Sequence, residues 1–197
     1  MYKVSDIKKA YDEITDFLNN ETEKTLLLRG IADTEKHQVL LKALNAQGNM
    51  KGLINLIHTA KDGIENFFRW AGLYKVKVPK KYGEGMRLSD ITIFFDNITT
   101  KNSDEKYDNY AFDFMIVWPI QSVTKNIKEI EMLKEMARRQ KTRKIIYLTL
   151  KEPWYNPDSL EPISDRVIKL DCENDDPEEY NRIMAEYEKD MKRRRYF

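Results

Sequence analysis

A single cysteine, Cys172, stands among 197 residues, which excludes a disulfide framework and any all-cysteine metal site and points to a reducing compartment. Histidine is almost as scarce. His37 and His58 are the only two, they do not form a pair at helical spacing, and no His/Cys/carboxylate cluster of metal-ligand spacing is present. There is no G-x-S-x-G elbow or other activated-serine signature. Seven glycines and six prolines are too few for a collagenous or low-complexity chain, and eleven tyrosines argue against disorder. Neither charge sign dominates: 34 Lys+Arg face 33 Asp+Glu, a formal net charge of +1 that does not advertise a nucleic-acid binder. No apolar run reaches the length of a membrane span, and the opening MYKVSDIKKAYDEI reads as a charged helix rather than a signal peptide. These absences predict a soluble, cytoplasmic globular protein that does not engage a membrane.

What is present is a regular alternation of apolar segments. Ser5 can cap an amphipathic helix over 5–20, with Ile7, Ala10, Tyr11, Ile14, Phe17 and Leu18 at helical spacing. The short apolar run TLLLRG (25–30) reads as a buried strand stopped by Gly30. A helix follows, capped by Asp33 or Thr34 and carrying Val39, Leu40, Leu41, Ala43 and Leu44. The pattern stays helical from Asn49 to Leu73, as one helix or as two divided near Asp62 and Gly63. YKVKV (74–78) alternates like a half-buried strand, and Pro79 to Gly85 reads as a loop.

DITIFFDNIT (90–99) and YAFDFMIVWPI (110–120) are two further strands. The polar linker between them is too short for a crossover helix, so an antiparallel hairpin is expected. Next comes a βαβ unit. Strand 112–118 leads to a helix at 124–140 with the stripe Ile127, Ile130, Leu133, Met136 and Ala137, and then to the strand KIIYLTL (144–150). A Pro- and Trp-bearing loop (152–163), the strand RVIKLD (166–171) and a charged helix (177–192) complete the pattern. The expected architecture is a single α/β domain over 1–197: three layers, a mostly parallel sheet flanked by helices, and one antiparallel hairpin. The N-terminal helix (1–22) and the charged C-terminal helix with its basic tail (177–197) are its appendages.

From Gly30 the chain reads Gly30-Ile31-Ala32-Asp33-Thr34-Glu35-Lys36-His37, against the phosphate-binding pattern G-x-x-x-x-G-K-[ST]. The first glycine and the lysine match at the correct spacing; Glu35 replaces the second glycine and His37 the hydroxyl residue. The layout of 113–123, a helix, KIIYLTL and 163–171 is similar to the second core strand and its successors in the RecA-like branch of P-loop NTPases. The resemblance spans roughly 24–171. In that family an aspartate closes the second core strand and helps to hold magnesium, whereas Trp118 stands at the corresponding end here. Asp113 lies at the wrong end of the strand, and Asp96, closing ITIFFD, is the substitute with an apolar run before it. The resemblance therefore implies a vestigial nucleotide site formed by Gly30, Lys36, His37 and Asp96. The substitutions imply lost catalysis: Glu35 and Asp33 set like charge beside a triphosphate, and His37 is a poor magnesium ligand. No cofactor is expected, ATP or GTP with magnesium entering only if the degenerate loop still binds. Lys36 then reads as a relic whose replacement by alanine leaves activity nearly unchanged.

The remaining candidates read as follows. His58 is expected to be packed or on the surface, and His37 to face solvent, with contact to an anion as the alternative. Cys172, between Asp171 and Glu173, has neighbours that oppose thiolate formation. Asp90, Asp96, Asp108 and Asp113 surround the expected hairpin, but acidic residues at strand ends are ordinary. A basic stretch includes Lys134, Arg138, Arg139, Lys141, Arg143 and Lys144, and the tail adds Arg193, Arg194 and Arg195; an acidic block, 171–179, separates them. Such blocks fit self-association or a protein partner, or else a phosphate backbone with Tyr196 and Phe197 stacking on bases. Trp154 and Tyr155, in a Pro-bounded loop, are candidate interface anchors. The first expectation is thus a non-catalytic P-loop-like domain serving as a regulatory or assembly subunit. The second is an accessory nucleic-acid binder, and the third an atypical metal- or nucleotide-dependent enzyme built on Asp96, Asp113 and Lys36.

Overall fold

The computed structural model describes residues 4–57, 63–81, 83–97, 110–123, 127–139, 141–150 and 152–194. Leu26, Leu27 and Leu28 are all fully buried, which requires cover on both faces of strand β1 (Thr25–Arg29). That is the signature of a parallel sheet lying between helical layers. The sheet has seven strands: β1, β2 (Lys51–Leu56), β3 (Gly85–Leu88), β4 (Ile91–Asn97), β5 (Phe114–Trp118), β6 (Lys144–Leu148) and β7 (Arg166–Lys169), ordered β3-β4-β2-β5-β6-β1-β7. Every neighbouring pair is parallel except β3 with β4.

Helices α1 (Asp6–Asn19), α2 (Asp33–Ala46) and α3 (Gly63–Trp70) cover one face, burying Phe17, Leu40, Leu44, Phe67 and Phe68 against Leu26, Leu28, Ile54, Ile116 and Ile146. Helix α4 (Ile127–Arg139) covers the other, with Leu133 and Met136 on Leu27, Met115, Val117, Ile145 and Tyr147. Each fully buried Leu, Ile or Phe contributes about 1.5–3 kcal/mol, so these two layers supply most of the driving force for folding. Helix α5 (Pro177–Arg194) follows β7 and buries no residue completely. The fold class is the expected one: α/β, with a mostly parallel sheet between helical layers and one antiparallel pair.

Several elements differ from the sequence expectation. Residues 51–56 form the interior strand β2, not a helix, because a strand covered on both faces loses its period-2 signal and reads as a continuous apolar run. YKVKV is not a strand; Val76 and Val78 rest partly buried against the core. Strands β4 and β5 do not pair, since β2 lies between them and is parallel to both; the antiparallel hairpin is β3–β4. The linker that suggested the other pairing, 98–109, lies outside the described residues, as do His58 and Arg195. Helix α2 begins at Asp33 behind Ala32, whose side chain cannot cap it, while Ser5 caps α1 by accepting from the Lys8 amide at 3.1 Å.

Gly52 shows how closely the centre is packed: a Cβ there would run into the Phe114 ring of the adjacent strand. Gly52→Ala is expected to destabilise the protein by about 1–3 kcal/mol through overpacking, read as a lower urea midpoint at unchanged slope.

Candidate functional site

From β1 the chain crosses through α2 toward β2, whereas from β6 it crosses beyond β1 to β7. The connections leave these two adjacent strands in opposite directions, so the crevice outside their carboxyl ends is a topological switch point, the usual ligand position in an open α/β sheet. Gly30 to Lys36, Thr149 and Glu152 meet there.

The geometry is a closed ring of hydrogen bonds. Lys36 Nζ donates to the Gly30 carbonyl and, at 2.9 Å, to Thr149 Oγ1. Thr149 Oγ1 donates to Glu152 Oε1 at 2.7 Å, and the same carboxylate oxygen accepts the Gly30 amide at 2.9 Å. Asp33 Oδ1 lies 3.1 Å from Lys36 Nζ. The next amide, that of Ile31, is taken at 3.0 Å by Asp171 Oδ1, and the Ala32 amide by the Leu170 carbonyl at 3.3 Å. Successive amides behind a strand at a helix N-terminus form a natural anion cradle. Here two of them are bound by the protein's own carboxylates. Gly30 has φ +118°, and a Cβ there would strike the Leu170 carbonyl, so glycine is required for close approach of the chain to itself.

Lys36 is 0% exposed. Burial pushes its pKa below the ordinary lysine value, while Asp33 and then Glu152 oppose that shift. The Glu152 carboxylate also meets Arg29, 3.3 Å away; Arg29 bonds Asp158 at 2.8 Å and Glu161 at 2.5 Å. Lys36 is therefore part of the interior.

His37 is equally buried, contrary to the solvent-facing position expected for it. Its Nδ1–H donates to the Asp33 carbonyl at 2.6 Å, leaving Nε2 without a hydrogen-bond partner among the described residues. The ring packs edge-on against Phe67 (5.2 Å) and Trp118 (5.8 Å), and Phe67 packs likewise on Trp118 (5.4 Å). Asp96 does not join this group. It is the penultimate residue of β4, four strand spacings from β1, about 19 Å away, and its Oδ1 accepts the Asn97 amide at 2.8 Å. Asp113 precedes β5 at the amino edge of the sheet, where it accepts the Lys51 amide at 2.8 Å. Asp96, Asp113 and Lys36 therefore do not converge. Among the described residues no group of three His, Cys, Asp or Glu side chains is placed to hold a metal.

No family model and no curated protein matches the sequence. Among solved structures the chain is similar to the large terminase of the thermophilic bacteriophage D6E, with TM-score 0.48 and 9% identity over 86% of this chain. It spans 46% of that protein's length.

The basic candidates divide. Lys144 is buried: its Nζ donates to the Asn20 and Glu23 carbonyls and sits 4.6 Å from the Phe17 ring centre, so it serves packing and leaves the patch. Lys134 pairs with Glu131 at 2.7 Å and Arg138 with Glu135 at 2.6 Å, while Arg139 approaches Glu135 at 3.9 Å. Lys141, Arg143, Arg193 and Arg194 are exposed. Trp154 turns back onto α5, donating to Asp190 at 3.0 Å and contacting the Tyr187 ring; Tyr155 lines a crevice beside it. Burial first, then the nearby carboxylates, push the Cys172 thiol up to about 12.

Sequence reasoning missed Thr149 and Glu152. Lys36 and Gly30, which they meet, lie more than a hundred residues away, and the only local hint is a polar residue directly behind the apolar run KIIYL.

Lys36→Ala is expected to cost about 3–5 kcal/mol, because it breaks the ion pair with Asp33 inside the protein and leaves Thr149 and the Gly30 carbonyl without their donor; equilibrium denaturation measures this. His37 gives a pH signature. Burial pushes its pKa down from 6.5 to about 3, so the folded protein keeps it neutral while the unfolded chain protonates it. Its contribution is complete above pH 6.5 and is lost as pH falls toward 3, at about 1.4 kcal/mol per unit within that window. His37→Phe should flatten the acid limb of the stability–pH curve by that slope.

Proposed function

We propose that the chain is a P-loop-like domain without catalysis, acting as a regulatory or assembly subunit through protein–protein contacts. The observation that carries this reading is the filled cradle: Glu152 and Asp171 bind the Gly30 and Ile31 amides, and the Lys36 ammonium is spent on Gly30 and Thr149. A phosphate would have to displace two carboxylates from the loop and would meet Asp33 and Glu35 on the first turn of α2. Added support comes from the two positions where the resemblance expects magnesium ligands. His37 and Trp118 pack ring against ring there, and an imidazole held neutral by its burial is neither a hard oxygen ligand nor an anion.

A phosphate-backbone partner is the weaker reading, since Glu131 and Glu135 offset three of the α4 cations and Lys144 is internal.

Titration calorimetry of the full chain with ATP and with GTP, each with magnesium, is expected to show no binding. A Kd tighter than about 100 μM, or about −5.5 kcal/mol, would overturn the proposal. A single-stranded oligonucleotide in the same assay separates the second reading, which requires affinity falling steeply with salt.

A further inference from the structure

Helix α5 forms a wall of two crevices at the carboxyl edge of the sheet. One, about 260 Å³, is lined by Ala32, Asp33, Cys172 and Ile183 among others; the second, about 290 Å³, by Arg29, Glu152, Tyr155 and Tyr187. Ile31, Asp171 and Tyr180 belong to both, so the two crevices adjoin along α5. Its inward stripe, Tyr180, Ile183, Met184, Tyr187 and Met191, is only half-buried, in contrast to the fully buried stripes of α1 and α2.

The two ends are held unequally. At the start, Asp175 accepts the Ile7 amide at 2.9 Å, and Asn174 donates to Asp6 through its amide and its side chain, each at 2.8 Å. Toward the far end, the indole of Trp154 donates to Asp190 and meets the Tyr187 ring edge-on. The helix also carries ion pairs of its own. Arg182 pairs within it to Glu179 at 2.6 Å and Glu186 at 3.4 Å, acidic residues open its first turn, and Lys192, Arg193 and Arg194 close its last. Behind its anchored end Cys172 holds φ +59°, a left-handed conformation at a non-glycine residue.

We propose that α5 is a hinged strap, anchored at 174–175 and latched by Trp154, that lifts off while the sheet stays folded; away from the core its amides lose the protection that packing gives a helix, and they exchange. Opening joins the two crevices into one groove and uncovers Tyr155, Tyr180, Met184 and Tyr187. The inference does not rest on the nucleotide reading, because its readout involves no ligand.

Hydrogen exchange on the full chain tests it. In the wild type, amides of 180–190 are expected to exchange at least about 100-fold faster than those of β1 and β6. Trp154→Phe, which keeps the ring and deletes the indole donor, should accelerate α5 about tenfold more, equivalent to about 1.4 kcal/mol, and leave β1 and β6 unchanged. Asp190→Ala removes the same bond from the exposed side and should act alike even if the aromatic replacement perturbs folding. Exchange of α5 in step with the core, or α5 rates indifferent to Asp190→Ala, would overturn the proposal.

Discussion

The Lys36 ammonium is a positive charge with no access to water, and the switch point of the sheet is arranged around satisfying it. Taking a lysine out of solvent costs several kcal/mol, which the protein recovers only if every donor finds an acceptor and a counter-charge lies close. The Gly30 carbonyl, Thr149 Oγ1 and Asp33 meet the donors, and Glu152 and Asp171 add negative potential. These groups come from the loop after β1, the end of β6 and the segment after β7, so one buried cation ties together three strands that are adjacent in space and far apart in sequence.

The neighbouring aromatic group follows from the same constraint. A second cation beside Lys36 would be intolerable, and His37 stays neutral through its own burial, assisted by the Lys36 charge. A neutral imidazole with one N–H committed to the Asp33 carbonyl presents mostly carbon to its surroundings. Phe67 and Trp118 supply edge-to-face contacts that suit it, each arrangement worth about 0.5–1.5 kcal/mol beyond area burial. Glu35, by contrast, sits half-exposed beside the crevice, where its charge costs little and biases the opening against anions.

Much of the layering was legible from local pattern. β1, β6, α1 and α4 carry strong periodicity or short, bounded apolar runs, and each lies where the sequence puts it within a few residues. β2 was not legible, because KGLINL is buried on both faces and followed by apolar residues that continue a helical spacing by chance. The hairpin was misassigned for a related reason: with β2 unrecognised, nothing stood between β4 and β5. At the site, Gly30 and Lys36, singled out by their spacing, do lie together at the switch point. The inward turn of Lys36 was beyond sequence reasoning, since it depends on Thr149 and Glu152. Asp96 failed as a candidate because closing an apolar strand says nothing of which strand lies next to β1.

The loop after β1 is a coupled set of residues. Glu152 is tolerable at 5% exposure because the Gly30 amide, Thr149 and Arg29 all turn toward it. Lys36 is tolerable at 0% because the carboxylates surround it. Removing the Glu152 carboxylate would leave Lys36 with Asp33 as its remaining close counter-charge, and removing Lys36 would leave Glu152 with Arg29. His37 could not become a hydroxyl without leaving a void against Phe67 and Trp118, nor Trp118 an aspartate without burying a new charge beside an apolar face. Each change alone disturbs a buried contact, so the internal carboxylates are held in the cradle by the packing around them. An arrangement of this kind preserves the strand–loop–helix geometry while leaving an external anion no amides at Gly30 and Ile31 to bind.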